Sequence, residues 1–237
     1  MCGLAAVAAL FETEPGRVER LFFEPRLRVA LAPHCAALAR ARKPYREVAA
    51  AELTRIAGTL LHGGVAAVAR PRPIAAFDAA AVPDWTRQRR PILILDGVGN
   101  PHNLGAIARS AAFFGVEHLL LAERPEQALP SDASYRVAEG GLEYLRLWRA
   151  PIPAALDDIR QSFRIVGSAL GRGKPLAGYR ADKPAALILG NEETGIGPAT
   201  LARCDDVATI PGGGRVQSLN VAAAAAILLY ALTAGRR

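Results

Sequence analysis

Hydrophobic patterning divides the chain into two textures. Over residues 1–70 the apolar stretches are short and alternate with polar ones. Residues 4–11 predict a helix, 18–23 a helix end or a strand, 28–31 and 47–48 strands, 35–41 a helix and 64–68 a buried strand. Together they describe a small α/β domain, 1–70. Residues 71–90 change character: Arg70-Pro71-Arg72-Pro73, Val82-Pro83-Asp84 and Arg89-Arg90-Pro91 mix prolines and charges without a period, which marks a linker. At Ile92 a second domain, 91–237, begins on Ile92-Leu93-Ile94-Leu95, a continuous apolar run of the kind buried on both faces of a parallel sheet. Helices are expected at 103–114, 133–139 and 154–163, and strands at 118–121, 144–148, 164–169, 186–189 and 207–210. A closing helix at 221–232 is apolar almost all round. Alternation of β and α at this spacing predicts an α/β domain around a mainly parallel sheet.

Three of the predicted strand ends carry glycine and polar residues together: 96–103, 190–197 and 211–220. In open parallel sheets ligands sit at the carboxyl ends of strands, so loops from three strands have the means to build one pocket. The third loop, Pro211-Gly212-Gly213-Gly214-Arg215-Val216-Gln217-Ser218-Leu219-Asn220, couples backbone freedom to residues that cap a helix.

Charge narrows the partner. The 237 residues are 51% hydrophobic, enough for a sizeable core, and carry a formal net charge of +7, which favours a polyanion such as nucleic acid. Arg26, Arg28, Arg40, Arg42, Lys43 and Arg46 crowd one part of the first domain, as a phosphate-contacting face or as an ordinary solvated one. Three scattered cysteines imply no disulfide framework, and the four histidines show no metal-ligand spacing with them, so no metal site is expected. The apolar opening residues 1–11 lack a basic leader, and the closing apolar run falls short of the roughly 20 residues that span a bilayer. A cytoplasmic protein without a membrane segment is expected.

Common nucleotide signatures fail. Gly97-Val98-Gly99 begins a G-x-G-x-x-G, but His102 stands where the third glycine belongs, and residues 190–195 lack the Lys-Ser/Thr of a P-loop. No G-x-S-x-G elbow is present either.

The three loops resemble, in order, the three motifs of the SpoU (TrmH-like) branch of the SPOUT RNA methyltransferases. The first is Asn103-Leu104-Gly105-Ala106-Ile107-Ala108-Arg109. The second is Leu187-Ile188-Leu189-Gly190-Asn191-Glu192 followed by Gly195, and the third Ile210-Pro211 with Ser218-Leu219-Asn220-Val221. More softly, Cys2-Gly3-Leu4 and His62-Gly63-Gly64-Val65 resemble the family's small L30e-like RNA-binding domain. The resemblance implies a sheet whose C-terminal segment is threaded into a deep trefoil knot, S-adenosylmethionine held by the knotted loops, and a homodimer. It also implies 2′-O-methylation of ribose in rRNA or tRNA, with the separate N-terminal domain leaning toward rRNA. It implies cofactor contacts from Gly190, Ile210 and Leu219, with their neighbours Leu189, Pro211 and Ser168 placed beside them. Arg109 is the expected catalytic group, either activating the 2′-hydroxyl or clamping an RNA phosphate and stabilising developing alkoxide charge. Asn103 and Asn220 are expected to orient Arg109 or substrate, Ser218 to bond substrate or backbone, and Glu192 to pair with Arg109 or reach across a dimer. Each of these polar residues also suits a plain helix cap or solvated loop. The glycine-rich Pro211-Gly212-Gly213-Gly214-Arg215 departs from the family's loop, and Ala138-Glu139-Gly140-Gly141 stands out with no role assigned. The competing readings are a non-catalytic RNA-binding protein that keeps the fold, separated by cofactor binding, and a nucleotide-dependent oxidoreductase, separated by titration with NAD.

Overall fold

The computed structural model describes residues 1–171, 173–176 and 182–234. The last three residues of the expected second domain lie outside that set. Within the first 70 residues, β1 (Val18–Phe23) pairs in parallel with β2 (Tyr45–Glu47) and antiparallel with β3 (Val65–Ala69). Helices α1 (Leu4–Thr13), α2 (Arg28–Arg40) and α3 (Ala50–Ala57) accompany this small sheet. Residues 28–31, expected as a strand, are instead the first turn of α2. Leu31, Cys35 and Leu38 recur at helical spacing, and Leu31 and Leu38 are buried, so the stripe of a longer helix overrides the short apolar run. Helix α3 was not anticipated.

Residues 71–90 are built into the larger sheet. Ala75–Ala76 form β4, and a 3₁₀ segment, Ala79–Thr86, buries Val82 and Trp85. The second region contributes β5 (Ile92–Asp96), β6 (His118–Ala122), β7 (Arg146–Ala150), β8 (Arg164–Ser168), β9 (Ala185–Gly190) and β10 (Asp206–Ala208). Among the described residues these make a seven-stranded sheet in the order β10-β8-β9-β5-β6-β7-β4, every neighbouring pair parallel. Leu93, Leu95, Leu119, Leu121, Leu187 and Leu189 face one core, while Ile92, Ile94, Leu120, Ala186 and Ile188 face another on the opposite side. Burial on both faces is what the unbroken apolar runs of β5 and β9 require.

The first core is covered by α4 (Pro101–Phe113), α5 (Asp132–Ala138) and α8 (Val221–Thr233). Gly105 lets α4 and α5 touch: a Cβ there would stand 2.4 Å from the Ser134 carbonyl oxygen. The helix expected over 154–163 is shorter, α6 (Leu156–Ile159) among turns, and a further short helix, α7 (Pro198–Leu201), follows β9.

The second core contains a buried aromatic stack. His118 lies against Trp85, ring centroids 4.4 Å apart, and its Nδ1 accepts a hydrogen bond from Trp148 Nε1 at 3.2 Å. Burial, with Arg146 adding to it, pulls His118 down from 6.5 to about 4. The unfolded chain therefore takes up a proton near pH 6.5 that the folded chain refuses. Stability from this group is complete above pH 6.5 and is lost as pH falls toward 4. Urea unfolding of the wild type is expected to weaken by about 2 kcal/mol between pH 7.5 and 5, and His118→Phe to flatten that slope. An unchanged slope in the variant would assign the acid sensitivity elsewhere.

Candidate active site

The site is built where β5 and β9 end side by side, Asp96 in register with Gly190. After β5 the chain turns through Gly97, at φ 92°, into a loop held by hydrogen bonds from outside it. The Gly97 amide donates to Gln127 Oε1 (3.0 Å), Gln127 Nε2 donates to the Val98 carbonyl (3.1 Å), and Asn191 Nδ2 donates to the Gly97 carbonyl (2.8 Å). Asn100 then caps α4, its side chain accepting from the His102 amide at 2.8 Å, with Pro101 at the first helical position.

After β9, residues 191–195 double back on themselves. The Asn191 and Gly195 main chains exchange hydrogen bonds at 3.0 and 2.9 Å, and Asn191 Oδ1 accepts from the Glu193 and Thr194 amides. Gly190 has no room for a side chain, since a Cβ would meet Gly195 C at 2.2 Å and Ile196 N at 2.3 Å. This turn projects Glu192 over the first loop, where it accepts from Gly99 N (3.0 Å), Asn100 N (3.2 Å) and Asn103 Nδ2 (2.8 Å). Partial burial opposes its charge, but the bonds from Asn103, Gly99 and Asn100 outweigh it and hold the carboxyl below the usual range. Glu192 is anionic at neutral pH and neutralises the positive end of α4.

The third loop leaves β10 at Thr209 and runs exposed from Pro211 to Asn220. Asn220 caps α8, accepting from the Ala222 amide at 2.9 Å, while its Nδ2 donates to Asn103 Oδ1 at 3.0 Å. Asn103 is thus the junction of the three loops, donating to Glu192 and accepting from Asn220. Sequence proposes these three residues; the fold brings them into one hydrogen-bonded chain. Ser218 is exposed, and among the described residues no hydrogen bond is made by the segment from Ile210 to Leu219. Ile210 is half-buried against the main core, Leu189 is fully buried, and Ser168 sits half-buried at the end of β8. Leu219 is 51% exposed.

Arg109 stands apart from this junction, six residues and about 9 Å further along α4. Neither Glu192 nor the two asparagines reach it. Its side chain is 58% exposed and pairs with Glu139, Nη2 to Oε2 at 3.0 Å. Three further groups escaped sequence reasoning. Gln127 and Asn191 fasten the first loop; Asn191 stands in the second motif without an assigned role, and Gln127 belongs to no pattern that spacing exposes. Asp96 is fully buried, with Arg124 Nη2 3.1 Å from its Oδ1 but no aligned hydrogen bond to either oxygen. An acid ending an otherwise apolar strand was its legible signal.

A parallel sheet with polar loops gathered at its carboxyl edge, tied by a Glu192–Asn103–Asn220 chain, with an exposed arginine further along α4, is an open-sheet α/β arrangement of the kind that binds ligands at its strand ends. The chain belongs to the SpoU rRNA methylase family, whose description matches residues 90–230, and residues 1–75 match the RNA 2′-O ribose methyltransferase substrate-binding family. An uncharacterized tRNA/rRNA methyltransferase, YfiF, of Escherichia coli O157:H7 is 35% identical over 96% of this chain and 65% of its own length. The chain therefore spans about two thirds of that relative. The 23S rRNA (guanosine-2′-O-)-methyltransferase RlmB of Acinetobacter baylyi is 32% identical, covering 96% of this chain and 94% of its own. Among solved structures, the SpoU methyltransferase AviRb from Streptomyces viridochromogenes in complex with AdoMet superposes with a TM-score of 0.73 at 26% identity, over 100% of this chain and 89% of that one.

The residues present fit the adenosyl cofactor seen with AviRb. The third loop offers main-chain amides and carbonyls that no described group engages, and exposes the apolar Val216 and Leu219 beside them. An adenosyl group asks for that combination: backbone donors and acceptors along its edge and apolar surface on its faces. Among the described residues no three His, Cys, Asp or Glu side chains gather as metal ligands do, and no helix is long and apolar enough to cross a membrane.

Proposed function

We propose that this chain transfers a methyl group from S-adenosylmethionine to a ribose 2′-hydroxyl of structured RNA, with rRNA as the substrate class in preference to tRNA. The observation that carries the reading is the Glu192–Asn103–Asn220 chain, which ties the three family loops together at the carboxyl edge of the sheet. The rRNA preference draws support from the name of the RlmB relative and from the match of residues 1–75 to a substrate-binding family. When bound, the cofactor supplies an activated methyl on a sulfonium centre. Gly190, Leu189, Ile210, Pro211 and Leu219 hold it, largely through main-chain groups, with Ser168 at the neighbouring strand end. Asn103, Glu192 and Asn220 keep the loops in register, and Ser218 faces the substrate. Arg109 binds an RNA phosphate and stabilises negative charge developing on the 2′-oxygen. A clamp suits its chemistry better than a base, because a guanidinium is not deprotonated in proteins.

In this reading residues 1–70 are an L30e-like RNA-binding domain and 91–237 the catalytic domain, while 71–90, expected as a linker, join them and pack with the larger sheet. Arg26, Arg28 and Arg46 of the basic cluster are paired with Glu24, Glu47 and Glu52, and Lys43 lies 3.5 Å from Glu19. Arg40 and Arg42 are exposed with no such partner among the described residues, and we assign them to RNA phosphates. A C-terminal trefoil knot is supported by the strand order, since the chain leaves β10 at the sheet edge and returns to pack α8 on α4. A homodimer is supported by Phe113, Ile227 and Tyr230, apolar side chains 83%, 44% and 63% exposed on α4 and α8, and a cytoplasmic location by the rRNA substrate named for the RlmB relative. A sedimentation mass of one chain at micromolar concentration would count against the dimer.

The test is transfer of labelled methyl from S-adenosylmethionine to separated rRNA and tRNA pools lacking their own modifications. Label in rRNA, alkali-resistant at a single dinucleotide, is the expected result. Label confined to tRNA would overturn the substrate class, and no label in either pool with no cofactor binding would overturn the enzyme.

A further inference from the structure

Glu139 occupies a backbone conformation that its side chain disfavours. It ends α5 at φ 46° and ψ 44°, in the left-handed region, and Gly140 follows at φ 92°. A non-glycine residue reaches that region at a cost and keeps it only where its surroundings enforce it. Here they do so from three sides. A Cβ on Gly141 would lie 2.8 Å from Arg109 Cα, so this turn presses directly on α4 at the arginine. A Cβ on Gly140 would lie 2.8 Å from that of Ala9 and 3.1 Å from the Ala5 carbonyl oxygen, so the turn also presses on α1. Three residues beyond Gly140, the buried carboxylate of Glu143 receives Arg17 Nη1 at 2.8 Å. The turn is wedged between the small domain and α4, and its main chain is fixed.

The Arg109–Glu139 pair is exposed on both sides, 58% and 54%, and such pairs add little to stability. A strained acid held rigidly for so small a return points to a role at the arginine itself. The described residues give Arg109 no other partner, and its long side chain has many rotamers that leave the guanidinium loose in solvent. A carboxylate anchored by this turn and ion-paired with Nη2 selects one of them, leaving the donors of Nε and Nη1 free.

We propose that Glu139 is a positioning residue: it fixes the guanidinium of Arg109 through Nη2 so that the remaining N–H donors meet the RNA. This rests on the function proposed above. The Ala138-Glu139-Gly140-Gly141 segment then has one purpose in all its parts: the glycines permit contact with α4 and α1, and the acid they position orients the arginine.

The experiment compares wild type, Glu139→Gln, Glu139→Asp, Arg109→Ala and Glu139→Gln/Arg109→Ala in single turnover on the rRNA pool, with saturating S-adenosylmethionine. Glu139→Gln keeps the backbone and side-chain length and removes only the charge. Its rate at saturating RNA is expected to fall about tenfold to a hundredfold, the scale of a misplaced positioning contact, with the half-saturating RNA concentration changed less than about threefold. Glu139→Asp is expected to recover part of the rate, and Glu139→Gln to change nothing further once Arg109 is alanine. A readout independent of turnover is the ¹⁵N resonance of the Arg109 side chain, assigned by its loss in Arg109→Ala. It is expected to shift and sharpen in Glu139→Gln without RNA, as the guanidinium is released.

An unchanged rate in Glu139→Gln overturns the proposal. So does tighter RNA binding at an unchanged rate, which would make Glu139 a competitor of the phosphate. So do a further loss in the Arg109→Ala background and an unmoved Arg109 resonance accompanied by a lower melting temperature, which would make the residue structural. Wild type that methylates no RNA brings down the underlying function. Wild type that methylates while Glu139→Gln matches it brings down the positioning role alone.

Discussion

Arg109→Ala is expected to lower single-turnover methyl transfer by about a hundredfold to a thousandfold, the range seen when one donor to a developing oxyanion is removed. The side chain is 58% exposed and its one ion pair is solvent-facing, so truncation leaves neither a cavity nor a buried unpaired charge. Melting temperature and cofactor affinity should therefore stay close to wild type. Arg109→Lys should restore little, because a lysine ammonium keeps the charge but loses the planar fork that holds a phosphate on one edge and Glu139 on another. The check is rate at saturating RNA and cofactor, alongside calorimetric binding of S-adenosylmethionine. Near wild-type turnover in Arg109→Ala would remove the arginine from the chemistry.

Gly190→Ala should do comparable harm by a different route. The added methyl would sit 2.2 Å from Gly195 C and 2.3 Å from Ile196 N, and both obstacles are main chain, which cannot rotate aside. The turn must open, withdrawing Asn191 from Gly97 and Glu192 from Gly99, Asn100 and Asn103. Overpacking of this kind costs about 1–3 kcal/mol of stability. Cofactor affinity is expected to fall more than about a hundredfold, since the second and first loops lose their common fastening. Calorimetric titration with S-adenosylmethionine at a temperature where the variant stays folded provides the measurement. Undiminished binding would show that the second loop is not part of the cofactor cradle.

The two variants divide the site into halves. The junction at Asn103 organises the loops and depends on close main-chain packing, so it tolerates almost no added volume. The arginine lies further along the same helix, exposed, and depends on orientation.

Much of this was legible in the residues. Ile92-Leu93-Ile94-Leu95 and Ala186-Leu187-Ile188-Leu189 are apolar without interruption, and only a strand covered on both faces has a use for that, so β5 and β9 and the class of sheet followed directly. Asn220 before an apolar run announces the start of α8 through capping chemistry that acts within a few residues, whereas α4 begins two residues earlier than expected, at Pro101 behind the Asn100 cap. The three loops were legible for the same local reason. The first turn of α2 reads locally as a strand because Val29-Ala30-Leu31 is a short apolar run, while the stripe that decides the matter runs from Leu31 to Leu38. The edge strand β4 was hidden in a proline-rich stretch, since Ala75–Ala76 joins the sheet only because β7 offers it an unpaired edge.

What the sequence determined by itself was therefore whatever depends on near neighbours: element type, caps, glycine turns, and the residues eligible for the site. Tertiary structure alone decided which of those residues meet. Asn103 finds Glu192 across 89 positions and Asn220 across 117, because α4 and α8 pack on one face of the sheet in which β9 lies beside β5. Arg109 finds Glu139 because two glycines let a turn from α5 press against α4 and α1. Hydrogen bonds and ion pairs between distant positions leave no periodic trace in a chain. They arise from the distances that folding closes, and here those distances placed the arginine beside an acid that no motif had put next to it.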